Sequence, residues 1–130
     1  MTTNHDTPAT VHGPLPDDWV YSTYYPISQD IIDERIRQQA KFGQQDCPSM
    51  YIDQMVAIAR ANAAKRVTEE HFQDGVGNWA DILIEEVAEA VDEAVFLAEG
   101  SYHGSVDKLK AELIQVAAVA VAWIERLDRP

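Results

Sequence analysis

The stretch IEEVAEAVDE, Ile84 to Glu93, places five carboxylates in ten residues, set among small apolar side chains and with no cation between them. Like charges at i,i+4 on a helix repel. Glu86 and Glu89 are three residues apart and share one helix face, while Glu85 stands about 100° away from Glu86. Either the acids form a solvated face, or they surround something positive.

The helix that carries them is expected to start near Asn78, with Asp81 three residues on in a capping-box-like position, and to reach about Glu99. The short turn GSYHGS follows. Ser105 or Asp107 then opens a fourth helix that runs to about Leu127. So short a connection makes helices three and four an antiparallel hairpin. Within helix four, LIQVAAVAVAWI (113–124) is apolar nearly all round. A helix of that kind is buried on most sides. One small unit can hardly surround it, so a second subunit is expected to cover part of it, with Trp123 in the core or at the interface.

Glu112 and Gln115 in helix four repeat the i,i+3 spacing of Glu86 and Glu89. The midpoint between the two pairs lies near residue 100.5, and the turn centres near 102.5. That offsets the pairs by about four residues, roughly 6 Å at 1.5 Å per residue, which an asymmetric turn can absorb. Inward carboxylates cannot stay unpaired without large cost or protonation. A hard divalent cation, Mg²⁺ or Mn²⁺, satisfies such oxygens and keeps waters for substrate phosphates. A di-iron carboxylate site would want Glu-x-x-His on the helices. The histidines after residue 12 are His71 and His103, both read as lying in or beside turns.

Towards the N-terminus, a first helix is expected from Ser28 to Phe42, with Ile32, Ile36 and Ala40 recurring every four residues. FGQQDCPS reads as a loop. A second helix is expected over about Ser49–Glu70, with an apolar stripe of Tyr51, Met55, Ile58 and Ala59. No segment alternates with period two, so the fold class is all-α: a four-helix bundle. Residues 1–26 hold four of the six prolines and read as an extended arm, sticky in its second half through Trp19, Tyr21, Tyr24 and Tyr25. Residues 27–130 form a single helical domain in this reading.

The 130 residues carry a net charge of −12, which disfavours nucleic acid and anionic membranes as partners. Cys47 is the single cysteine, which excludes an internal disulfide and fits a reducing compartment. The first 16 residues lack the apolar core of a signal peptide. The longest apolar run, Val116–Ile124, is short of the about 20 residues that span a bilayer. A cytoplasmic protein is expected.

EEVAE (85–89) followed by ELIQ (112–115) resembles the EExxE…ExxD signature of the MazG-like all-α nucleoside triphosphate pyrophosphohydrolases. ERIRQQAKFGQQDCP (34–48), NWADILIEEVAEAVDEA (78–94) and KLKAELIQVAAVAVAWIERL (108–127) are similar to segments of short stand-alone members, common in phage and actinobacterial genomes. If phage-encoded, the chain would work in the host cytoplasm. The resemblance spans about 34–127 and leaves the first 25 residues unmatched.

It implies a helical bundle assembled as a homodimer or a dimer of dimers. It also implies Mg²⁺-dependent cleavage of (d)NTP to (d)NMP and pyrophosphate. By position, Glu86, Glu89 and Glu112 match metal ligands, and Gln115 stands where the family usually has aspartate. Glu85 matches the glutamate that orients or deprotonates the attacking water. Arg37 and Lys41, four apart on the first helix, and then Lys65 are the candidates to complete the phosphate site. Asp92 either joins the metal site or caps its rim. Trp79 either stacks on a nucleobase or packs in the core. The missing charge at Gln115 keeps a second function open: a catalytically weak nucleotide-binding or regulatory protein.

Overall fold

The computed structural model describes residues 17–43, 53–100 and 104–129. Among them are four α-helices and no strand: α1 (Tyr25–Phe42), α2 (Gln54–Gln73), α3 (Trp79–Ala98) and α4 (Val106–Asp128). The all-α class is therefore as read. The first 16 residues, Cys47 with most of its loop, Tyr51 and the tip of the 99–105 turn, including His103, lie outside the described residues. No helix among the described residues is long and apolar enough to cross a membrane.

The described residues group into two compact units. One contains α2, α3 and α4 up to Ala120. The other contains residues 17–43 and 121–129.

In the second unit the chain is helical well before Ser28. Residues 19–26, expected to be extended, continue α1 backwards through a π-helical turn at Val20–Tyr24. Pro26 explains the turn. It cannot donate a backbone hydrogen bond, and its ring crowds the carbonyl four residues before it. The ladder slips by one, and Tyr25 N–H donates to Val20 O. The wider turn sets Trp19 over Tyr24, five residues on, as a stack with centroids 5.2 Å apart. Tyr21 meets Tyr25 edge-on. Trp19 Nε1 donates to Glu125 Oε2 in the last turns of α4 at 3.1 Å. Ile27 is buried here, whereas Ile32 and Ile36 of the expected core stripe are exposed.

In the first unit α2 begins four or five residues later than expected. Asp53 caps it, its Oδ1 accepting from Met55 N–H at 2.7 Å. Its buried face also differs: Met55 is 73% exposed, and Ala57 and Thr68 are the buried positions, with half-buried Ala61 and Ala64 between them. These small residues let α2 lie close against α3, and hydrophobicity alone pointed at the wrong stripe. Gly75, at φ 76°, ends the helix. Val76 N–H reaches back to His71 O and Gly75 N–H to Phe72 O, satisfying the terminal carbonyls.

Asn78 caps α3 as expected, its Oδ1 accepting from Asp81 N–H at 2.9 Å. Ser105 rather than Asp107 caps α4, its Oγ accepting from Lys108 N–H at 3.0 Å. Gly104 makes the hairpin tight: a Cβ there would lie 2.7 Å from Leu97 N and Phe96 C. With Gly104 beside 96–97, the hairpin axis passes near residue 100. The midpoint between the 86/89 and 112/115 pairs falls at the same place. The asymmetric turn thus removes the four-residue offset.

The expectation for α4 is not met within one chain. Glu112 is its one buried residue, while Leu113, Ile114, Ala117 and Ala118 are exposed. Trp123 is half-buried.

Candidate metal centre

Local contacts fix how α3 presents its acids. Thr68, buried in α2, has Oγ1 2.9 Å from Ala64 O and 3.2 Å from Asp81 O on α3. His71 Nδ1 lies 2.7 Å from Asp81 Oδ2. These two bridges pin the first turn of α3 to the last turns of α2. One helical turn further along α3, Glu85 is fully buried and Glu86 nearly so.

Across the hairpin stands Glu112, also buried. Glu86, Glu89 and Glu112 each place a carboxylate oxygen so that all three lie within 4.8 Å of one another. That geometry suits a single cation and is adverse to three bare anions. The strain shows in Glu89, whose carboxyl is pushed up to about 7, first by burial and then by the charges of Glu86, Glu112 and Glu85. Burial also raises Asp92. Glu89 Oε2, Asp92 Oδ1 and Glu93 Oε2 are buried oxygens with no hydrogen-bond partner. An all-carboxylate set with orphaned oxygens fits a hard, oxygen-seeking divalent ion.

Glu86, Glu89 and Glu112 therefore come together, and the charge of Glu85 also acts on Glu89. Gln115, half-buried, follows Glu112 by three residues on α4. Asp92 follows Glu89 by three on α3. Lys65 is exposed on α2, and Trp79, the first residue of α3, is half-buried. Arg37 and Lys41 belong to the other compact unit. Arg37 is exposed and engaged with Glu34, donating from Nε to Oε1 at 2.9 Å and from Nη2 to Oε2. Those hydrogen bonds raise the guanidinium pKa and lower that of Glu34. Lys41 Nζ sits 5.1 Å from the centroid of the Phe42 ring.

Three groups were not picked out as site components from the sequence. Glu93 is one, and its i+4 spacing from Glu89 was the available signal. The others are Thr68 and the His71–Asp81 pair. His71 lies in the last turn of α2, beside the turn that follows it, and its link to Asp81 is tertiary, with no signature in spacing.

Compared with family models, with curated proteins and with solved structures, the chain matches none.

Proposed function

We propose that this chain is a Mg²⁺-dependent nucleoside triphosphate pyrophosphohydrolase of MazG-like type, with Mn²⁺ as an alternative metal. It would cleave between the α and β phosphates of a (d)NTP to give the (d)NMP and pyrophosphate. The observation that supports this reading most is the convergence of Glu86, Glu89 and Glu112 oxygens within 4.8 Å across the α3–α4 hairpin.

A divalent ion bound there supplies a Lewis acid that neutralises phosphate charge and activates a water. Glu86, Glu89 and Glu112 would hold it through their carboxylate oxygens. Glu85, buried beside them, positions the attacking water and accepts its proton. The buried setting strengthens both roles by excluding bulk solvent. Gln115 offers an amide oxygen as acceptor and an NH₂ that donates to a phosphate or to a neighbouring carboxylate. Lys65 is the candidate phosphate cation within this unit, Trp79 is a candidate base platform, and Asp92 is a candidate for the rim of the metal site.

A second reading rests on Gln115 itself. A neutral ligand in place of an acid weakens metal binding, and the chain would then bind a nucleotide without turning it over. A panel of the common ribo- and deoxyribonucleoside triphosphates, with Mg²⁺ and with Mn²⁺, separates the two. Pyrophosphate release from at least one substrate supports the hydrolase. Nucleotide binding without release supports the second reading, and neither binding nor release removes both.

A further inference from the structure

The groove between α2 and α3 has the dimensions of a small-molecule site. Val87 and Glu89 are two residues apart on α3, about 200° around the helix, so the groove that Val87 lines lies on the side turned away from Glu89. Its volume is about 600 Å³. Sites for small molecules span about 300–1,000 Å³ and are mostly apolar, with a few placed polar groups. Ala63, Ala64 and Ala88 are the half-buried, deeper part of the lining, and exposed Val67, Ile84 and Val87 form its rims. The alanines leave the space open, while Thr68 and His71 tie α2 to Asp81 of α3 at one end.

Its polar groups decide what fits. The ionisable residues in the lining are Asp81 and Arg60. The Asp81 side chain is only 11% exposed and is engaged by His71. Arg60 is exposed, and among the described residues its guanidinium meets no ion-pair partner. It precedes Thr68 by eight residues on α2, about 12 Å along the helix at 1.5 Å per residue. The groove therefore has an end tied off at the Thr68–Asp81 contact, an apolar middle and one uncommitted cation at its other end. A guanidinium takes a carboxylate through two parallel N–H···O bonds. The matching ligand carries a single carboxylate on an unbranched apolar tail that follows the two helices.

We propose that the α2–α3 groove binds a free medium-chain fatty acid, with its carboxylate on Arg60 and its tail laid past Ala63, Ala64 and Ala88 towards Thr68. On a chain of net charge −12 the long-range field repels anions, so the tail supplies most of the affinity and Arg60 sets the direction. The same net charge opposes docking on an anionic bilayer, which favours the free acid over a membrane lipid as the occupant. The inference does not rest on the catalytic reading.

Calorimetric titration of the full chain with octanoate, decanoate and dodecanoate, below their micelle concentrations, should show affinity rising about two- to fourfold per added methylene. Methyl NMR signals of Val67, Ile84 and Val87 should shift with decanoate. That of Met55, 73% exposed but outside the groove, should not. Arg60→Gln, an exposed change, should weaken decanoate about three- to tenfold and leave decanol binding as in wild type. Absence of saturable decanoate binding overturns the proposal. So does binding that Arg60→Gln leaves unchanged, which would make the groove an apolar surface with no headgroup site. Decanoate that leaves the Ile84 and Val87 signals unmoved would assign this face to contact with protein, and flotation with zwitterionic vesicles in place of free-acid binding would assign it to a bilayer; either result overturns the proposal.

Discussion

Glu89, in the middle of α3, and Glu112, nearly two turns into α4, hold carboxylate oxygens within 4.8 Å of each other with Glu86 beside them. Two helices joined by a short turn thereby press like charges together. Such an arrangement is stable when a cation, or a proton, sits among them.

Metal binding follows first. Because a cation would bind the folded chain and not the unfolded one, Mg²⁺ or Mn²⁺ should raise the melting temperature. Glu112→Gln should weaken Mn²⁺ binding by at least about tenfold, roughly 1.4 kcal/mol. Unchanged affinity by calorimetry would remove Glu112 from the ligand set.

The proton alternative makes a pH prediction. Glu89 is pushed up from its ordinary 4.5 to about 7, so between those values the folded chain keeps a proton that the unfolded chain has lost. Without metal, stability should therefore be greatest below about pH 4.5, fall as pH rises towards 7 and level off above it. Glu89→Gln should flatten that fall and melt higher than wild type at pH 8 in chelator. Denaturant titrations across the range would show no such fall from this group if Glu89 were an ordinary solvated acid.

Turnover tests Gln115. Gln115→Asp should tighten metal binding in the free protein, with a smaller effect once a triphosphate brings its own oxygens to the ion. Wild type should already hydrolyse at least one triphosphate. Activity that is absent in wild type and restored by Gln115→Asp would mark a binding-only protein.

The clamp between α2 and α3 predicts a stability effect away from the acids. Asn78→Ala removes the acceptor for Asp81 N–H and should cost about 1 kcal/mol. Thr68→Val keeps the volume but loses the hydroxyl that bridges Ala64 O and Asp81 O, and should cost a similar amount. Chemical denaturation of both variants reads these values directly. No effect in either would mean that the start of α3 is held by packing alone.

The sequence by itself determined the elements whose causes are local. The helical class, the Asn78 cap, the 86/89 and 112/115 spacings and the approach of Glu112 to Glu86 and Glu89 across a short turn follow from periodicity, capping chemistry and chain length. It erred where a neighbour decides. The aromatic segment at 19–25 reads as extended because of the prolines around it. In the fold, Pro26 only shifts the hydrogen-bond ladder by one residue, and the rings then stack on the wider turn. The buried face of α2 is its alanine and Thr68 stripe, because close approach to α3 outweighs side-chain hydrophobicity there. The tertiary structure also decided how deep each acid lies. Spacing places Glu85, Glu86 and Glu89 on adjoining faces, but only the packing of α2 and α4 against α3 withdraws them from water. That withdrawal, more than the charge count, turns a crowded helix into a group of acids that could hold a cation.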